Sequence, residues 1–282
     1  MGSTPGFRSP DSLVAHVPVG LCGPAGDVCR DVELAAPNGL SEEYLAAAEP
    51  GIALTRFVSA LLERAIVRIG ALAPVTRERV EELAITDRDT LVLRLAELMT
   101  GPVLWITLDC PAAGCSLPME LRLELVAMQV EPKPEHPWEA ETALGRIPFD
   151  VPRGGDLECL LNEGQEGTST GRVIARCVQR AGWREDLKDD ELEAVEAAIE
   201  RVSADTEFEA DAVCPHCGHA FTAMLDLIPR LVSRIRQACG NIQRDVHLLA
   251  SHYHWREADI LALPRSRRLR YLALIDADVW GN

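Results

Sequence analysis

The sequence lacks the features that mark membrane and secreted proteins. No apolar run approaches the roughly 18 to 20 residues that a helix needs to cross a bilayer. The first twenty residues contain no basic segment followed by an apolar stretch, as a secretory signal would. We therefore expect a cytoplasmic protein with no membrane partner.

Common catalytic motifs are missing as well. The chain has no Gly-rich phosphate loop, no Gly-X-Ser-X-Gly nucleophile elbow and no His-Glu-X-X-His helix. The best candidate site, described below, is of a closed type that leaves no room for a substrate. The sequence therefore favours a protein that is not an enzyme.

Positive charge is scarce and unevenly placed. The chain has 28 basic and 44 acidic residues, which gives a formal net charge of −16. Such an acidic chain is a poor general binder of nucleic acid. Residues 184–211 contain twelve acids and three bases, whereas residues 230–270 contain nine arginines and three acids. This split favours contacts between protein surfaces, within the chain or with a partner.

Cysteines, in contrast, are plentiful. Their number, nine, is odd, and in a reducing compartment this argues against a disulfide framework. Cys110 and Cys115 occur in Leu-Asp-Cys-Pro-Ala-Ala-Gly-Cys, and Cys214 and Cys217 occur in Ala-Val-Cys-Pro-His-Cys-Gly. Strand-like sequence flanks both turns, so that they form a weak internal repeat of a zinc-knuckle hairpin.

The residue types in these turns suit a tetrathiolate zinc site. Zinc lowers the pKa of thiols, so all four cysteines would bind as thiolates. Proline fixes the backbone after the first ligand, and Gly218 permits a positive φ that lets N–H groups face sulfur. Two such turns complete a tetrahedron with Zn–S distances of roughly 2.3 Å and no position for a catalytic water. We predict one structural Zn²⁺ bound by Cys110, Cys115, Cys214 and Cys217.

Other assignments of the cysteines stay open at this point. The four residues could be free thiols in a β core, or His216 or His219 could replace one thiol. Cys22 and Cys29 could form another ligand pair, but no matching pair is left for them. The remaining cysteines fall in predicted helices and are better explained as core residues: Cys159, Cys177 and Cys239.

Hydrophobic periodicity predicts a helix-rich α+β fold. We expect a zinc-ribbon-like pair of β-hairpins bridged by the four-cysteine site, and a long C-terminal helix followed by two short helices. About a hundred residues separate the two turns, which implies an insertion. The predicted regions are a disordered N-terminal tail (1–40), an N-terminal helical region (41–101), the split hairpins (102–127 and 207–227), a mostly helical insertion (128–206) and a C-terminal helical region (228–282).

Three histidines near the C-terminus form a second candidate group. His247, His252 and His254 could bind a metal, or they could lie at a helix end and bond its last carbonyls. Their spacing matches no recognised ligand motif, which favours the helix-end interpretation.

An arginine cluster follows these histidines. It consists of Arg265, Arg267, Arg268 and Arg270. These arginines could bind phosphate, or they could contact the acidic helix at 186–200 or a partner subunit. Arg pairs well with carboxylates, which favours a protein contact. Arg and aromatic side chains are frequent anchors of interfaces. The predicted partner-binding surface therefore consists of Tyr253, Trp255, Arg265, Arg267, Arg268 and Arg270.

The order of motifs resembles a known family. The residues that carry the resemblance are Asp-Arg-Asp-Thr-Leu at 87–91, the two Cys-Pro hairpins, Arg-Ile-Pro-Phe at 146–149, Asp-Leu at 156–157, Ala-Arg-Cys-Val at 175–178, Asp-Val-His-Leu-Leu-Ala at 245–250, Tyr-His-Trp at 253–255, Glu-Ala-Asp-Ile-Leu-Ala-Leu-Pro at 257–264 and Arg-Arg-Leu-Arg-Tyr-Leu at 267–272. Over about residues 50–276 the chain is similar to baseplate-associated zinc-binding proteins of contractile phage tails and phage-tail-like injection systems, the T-even-like baseplate hub family. In the first hairpin the gap between the cysteines is four residues, where this family has two, and residues 1–40 have no counterpart.

This resemblance implies a non-enzymatic structural or assembly role in a baseplate or hub. The paired hairpins would bind zinc, other baseplate or tail proteins would be the partners, and the chain would be incorporated into a phage-tail-like particle. Two alternatives stay open. One is a zinc-ribbon regulatory protein that binds nucleic acid or other proteins, against which the acidity of the chain argues. The other is an enzyme that uses the histidines at 247, 252 or 254.

Overall fold

The computed structural model describes residues 11–23, 26–49, 51–128, 133, 137–143, 145–162, 170–203 and 208–280, without the side chains of 278–280. These residues form a mixed α+β fold. The strands are β1 (Ser12–Cys22), β2 (Val28–Ala35), β3 (Ile66–Ile69), β4 (Val103–Asp109), β5 (Pro118–Glu124), β6 (Trp138–Thr142), β7 (Gly145–Phe149), β8 (Phe208–Val213) and β9 (Ala220–Leu225). The helices are α1 (Gly39–Ala46), α2 (Leu54–Ala65), α3 (Arg77–Glu81), α4 (Ile85–Thr100), α5 (Gly154–Asn162), α6 (Thr170–Arg180), α7 (Asp189–Ser203), α8 (Ile228–Gly240), α9 (Ile242–Tyr253), α10 (Glu257–Ala262) and α11 (Arg265–Trp280).

The first part of the chain forms a sheet, so the prediction of a disordered tail over 1–40 is wrong for residues 11–23 and 26–40. β1, β2 and β3 form a three-stranded antiparallel sheet in that order. Val17, Val32 and Leu34 are fully buried in the main core. The register of β1 and β2 shifts between His16 and Leu21. This irregularity breaks the period of two by which a strand is recognised in sequence. Residues 1–10 lie outside the described residues.

The main core lies between this sheet and the helices α2, α4 and α8. α2 and α4 bury leucines at helical spacing, among them Leu61 and Leu91, and α8 adds Ile235. Gly101, at φ 95°, ends α4 and lets the chain turn into β4. The guanidinium of Arg234 donates to the carbonyls of Thr100 and Val103 at 2.7 and 2.6 Å. α8 is therefore fixed to the point where α4 passes into β4.

The described residues of the predicted insertion have a second core. β6 and β7 form an antiparallel hairpin that packs on α6 and α7. The rings of Trp138 and Phe149 stack with centroids 6.3 Å apart, and Ile174 and Val195 pack in the same core. The described helices of this region agree with the predicted mostly helical insertion. Residues 131–155 are rich in Pro and Gly and predict a loop with one short strand around 147–151; β7 overlaps that range, but its partner β6 was not predicted.

The C-terminal region also differs from the prediction in one respect. In place of one long helix, α8 and α9 follow each other with Asn241 between them. α10 and α11 are present, and α11 reaches Trp280. In the part of the chain that the structure describes, no helix has both the length and the apolarity needed to cross a membrane.

Candidate metal centre

Two hairpins present the four cysteines of the candidate site. β4 pairs with β5 from Val103 opposite Glu124 to Asp109 opposite Pro118, and the turn that joins them holds Cys110 and Cys115. In this turn the N–H of Cys110 donates to the carbonyl of Leu117, and the N–H of Cys115 donates to that of Ala112, both at 3.1 Å. The turn is thereby closed on itself and holds the two cysteines at fixed positions.

The second turn is tighter and follows the same plan. β8 pairs with β9 up to Val213 opposite Ala220. The N–H of Cys214 donates to the carbonyl of His219, and the N–H of Gly218 donates to that of Cys214, both at 2.9 Å. Gly218 has φ 74°, as its place after the second cysteine predicted.

The sulfur atoms of the two turns converge. All four Sγ atoms lie within 4.8 Å of one another. The Sγ atoms of Cys110 and Cys217 are 3.6 Å apart, and those of Cys115 and Cys214 are 3.8 Å apart. A tetrahedron with roughly 2.3 Å metal–sulfur bonds has sulfur–sulfur edges of about 3.8 Å. The arrangement could therefore hold one metal ion without a ligand from His216 or His219, both of which are exposed.

The thiols of this group compete for charge. Burial alone would raise the pKa of Cys214, but the N–H groups of Cys217 and His216 and the neighbouring thiols lower this pKa to about 6. At Cys110 the N–H of Ala112 favours the thiolate, yet burial and the surrounding thiols raise its pKa to about 12. A thiolate on one cysteine thus disfavours ionisation of the neighbouring thiols, as expected for like charges at this distance. A bound cation removes this conflict, because it stabilises all four thiolates together.

An apolar shell surrounds the sulfurs. Cys110 and Cys214 are buried together with Met119 and Ala212, and Phe221 packs against them. Cys115 is half-buried and Cys217 is exposed. The turns are therefore anchored by packing around Cys110 and Cys214, whereas Cys217 is open to solvent.

The other cysteines do not join this group. Cys177 and Cys239 lie in α6 and α8, and burial raises the pKa of each thiol to about 12. Both are core residues, as predicted, whereas Cys159 in α5 is half-buried. Cys22 and Cys29 lie in β1 and β2 and not in a ligand turn.

The three histidines near the C-terminus are not assembled into a metal site. Within the described ranges, the four cysteines are the only group of three or more His, Cys, Asp or Glu residues that could hold a metal ion. His247, His252 and His254 are all exposed. His254 lies at the end of α9 in the left-handed conformation, at φ 58°, and its backbone N–H donates to the carbonyl of Ala250.

The arginine cluster divides into two buried and two exposed residues. Arg268 is fully buried and pairs with Glu42 and with Asp245, the latter at 3.1 Å, while Arg265 pairs with Glu42 at 2.7 Å. Burial raises the pKa of Glu42, and the two arginines oppose this rise.

These ion pairs correct two predictions. Arg265 and Arg268 cannot serve a surface that binds a partner, because they hold α11 to α1 and α9. The acids that they meet also do not come from the predicted helix at 186–200. The other predicted contact residues remain accessible: Arg267 and Arg270 are exposed, and Tyr253 and Trp255 are half-buried.

Sequence reasoning missed a cavity of about 580 Å³ between α2, α4, α5 and the start of α8. At this cavity burial raises the pKa of the Asp89 carboxyl to about 7; nearby Arg88 lowers this pKa, and nearby Asp226 raises it further. Such a cavity can hold an apolar group with a polar end. Its walls come from segments that are distant in sequence, so no local pattern marks it. The apolar lining includes Leu54, Val58, Leu157, Leu225 and Ile228.

Comparison of the chain with protein-family models, curated proteins and solved structures found no match.

Proposed function

We propose that Cys110, Cys115, Cys214 and Cys217 hold one structural zinc ion, and that the chain is a non-enzymatic structural or assembly protein of a contractile-tail baseplate or hub. The observation that carries the zinc assignment is the convergence of four Sγ atoms at distances that suit tetrahedral coordination. The assembly role is supported by the resemblance of residues 50–276 to the T-even-like baseplate hub family. It also fits a closed four-sulfur site, which leaves no position for a substrate.

The protein's own groups orient the sulfurs for this role. The N–H groups of His216 and Cys217 point at the sulfur of Cys214, and the N–H of Ala112 points at that of Cys110. These donors favour thiolates over thiols, so that the ligands are partly prepared before a metal arrives. When bound, zinc would neutralise the thiolates and join the two turns.

Metal analysis of the purified chain tests the zinc assignment. We expect about one zinc per chain, lost in Cys214→Ser/Cys217→Ser, because two sulfurs cannot hold a structural zinc. Cys22→Ser is the matched control: it removes an exposed cysteine outside the group and should keep the metal. A chain that is isolated intact without zinc, or a double variant that retains it, would contradict the assignment.

A test of the assembly role needs a host that carries this chain together with sheath and tube genes. Deletion of the chain should abolish complete contractile particles in electron micrographs, and the wild-type chain and Cys22→Ser should restore them. Cys214→Ser/Cys217→Ser should not restore them, because the turns would no longer be joined. If particles form normally after deletion, the assembly role is wrong even where the zinc assignment holds.

A further inference from the structure

α7 carries a narrow acidic stripe on its outer side. Asp189, Glu193, Glu196 and Glu200 recur at intervals of four, three and four residues, which places them on one face of the helix. Asp189, Glu193 and Glu200 are exposed, and Glu196 is half-buried. The opposite face packs on β6 and β7. The stripe extends for roughly 16 Å along the helix at 1.5 Å per residue.

Nothing in the described part of the chain neutralises this stripe. None of the four carboxylates forms an ion pair there. Like charges three and four residues apart destabilise a helix. The repulsion is relieved where a basic surface docks on the stripe, so the stripe is suited to a cationic partner.

α11 carries a face of the opposite character. Arg267, Arg270, Tyr271 and Leu274 occur at helical spacing, so they lie on the same side of the helix. Both arginines are exposed, Leu274 is 52% exposed, and neither arginine forms an ion pair with a described residue.

This arginine face is rigidly held. The ring of Tyr271 packs on Trp255 with centroids 4.8 Å apart, and the guanidinium of Arg267 lies 6.0 Å from the centre of the Tyr271 ring. Buried Arg268, on another side of α11, fixes the helix to α1 and α9. The exposed arginines are thus presented by a helix that cannot easily turn, which lowers the entropy lost when a partner binds.

We propose that these two faces bind each other between copies of this chain, so that α7 of one copy docks on α11 of the next. A second copy is the occupant that the charges favour, because the chain itself supplies both complementary surfaces. Within one copy the two faces belong to different packing units: α7 packs on β6, β7 and α6, and α11 packs on α9. The inference does not depend on the metal site, and it goes beyond the proposed assembly role by naming the surfaces.

The contact joins two different faces of the chain. Two copies can form it reciprocally as a twofold dimer, or successive copies can repeat it in a ring or an open chain. Because the pairing is electrostatic, it should weaken as salt shortens the Debye length from about 8 Å at 0.15 M to about 3 Å at 1 M.

Sedimentation velocity of the full-length chain tests this proposal by an exchange of charges. The wild-type chain should form concentration-dependent oligomers at about 0.15 M salt and dissociate at about 1 M. Arg267→Glu/Arg270→Glu and Glu193→Arg/Glu200→Arg should each weaken self-association at least about tenfold, because like charges then face each other. An equimolar mixture of the two variants should associate again, since each supplies the faces that the other has lost.

Arg79→Glu/Arg230→Glu is the matched control for the arginine variant, because it reverses two exposed arginines outside both faces and changes the net charge by the same amount and sign. It should associate like the wild-type chain. The proposal is overturned if the wild-type chain stays monomeric, even if the arginine face binds some other acidic protein. It is overturned equally if the control loses self-association like the test variants or if the charge reversals leave self-association unchanged. It is also overturned if the two variants do not associate when mixed.

Discussion

Asp87 is a buried carboxylate that joins the first strand to the fourth helix. Its two oxygens accept the N–H groups of Val19 and Gly20, both at 2.8 Å. The side chain is fully buried, and burial raises its pKa to about 6, although the two N–H donors, Arg153 and Arg30 oppose this rise. Folding therefore places an ionisable group where its charged form is disfavoured.

The raised pKa predicts a pH dependence of stability that is opposite to that of most carboxylates. Between about pH 4 and pH 6 the folded chain binds a proton at Asp87 that the unfolded chain has lost. The contribution of protonated Asp87 is thus fully present below about pH 4 and is lost as the pH rises through about 6. Relative to Asp87→Asn, which does not ionise, the wild-type chain should lose on the order of 3 kcal/mol over this range.

Urea unfolding of both chains at a series of pH values measures this difference. Asp186→Asn serves as the control, because Asp186 is exposed and forms no ion pair with a described residue. The free energy of unfolding of this variant should change with pH in the same way as that of the wild-type chain. Parallel curves for the wild-type chain and Asp87→Asn would show that Asp87 ionises in the folded chain as it does in the unfolded one.

At the level of elements, the local sequence was enough to predict a strand or helix where one of its faces is consistently apolar. β4, β5, β8 and β9 and the two cysteine turns lie where alternation and the Cys-Pro pattern predicted them. The convergence of the four sulfurs followed from ligand chemistry, because two pairs of thiolates are what a tetrahedral ion requires. Within the hairpins, the predicted strands, the turns and the clustering of the four cysteines are confirmed, whereas the identity of the metal stays a prediction.

Elements whose partners are distant in sequence could not be predicted in this way. The positive φ of Gly20, 85°, and the shifted register hid β1 in a segment rich in Gly and Pro. Glu42 gives no local sign that it will meet Arg268, since 226 residues separate them. The arginines were predicted to form an exposed surface because runs of charged residues are usually exposed. Only the folded chain shows that Arg265 and Arg268 are buried.

For the whole molecule, the candidate metal centre lies beside the main core and not within it. The bases of the hairpins are held by apolar packing, since Leu104, Leu123 and Leu225 belong to the main core. Their tips belong to a separate small cluster around Cys110 and Cys214. The second core, around Trp138, shares no residue with this cluster. The metal should therefore stabilise the tips locally, while the two larger cores do not require it.

Hydrogen exchange with and without a strong chelator tests this division. Metal removal should speed amide exchange at the hairpin tips, residues 108–119 and 212–221, because the ion that joins the two turns would then be gone. Exchange in α4 and in α6 should change little, because their packing is independent of the turns. Cys214→Ser/Cys217→Ser should resemble the chelated chain, and Cys22→Ser the untreated one. If chelation speeds exchange in α4 as much as at the tips, the metal supports the whole fold, as in small zinc domains that unfold without it. If chelation leaves exchange at the tips unchanged, the proposal that a metal stabilises the tips is wrong.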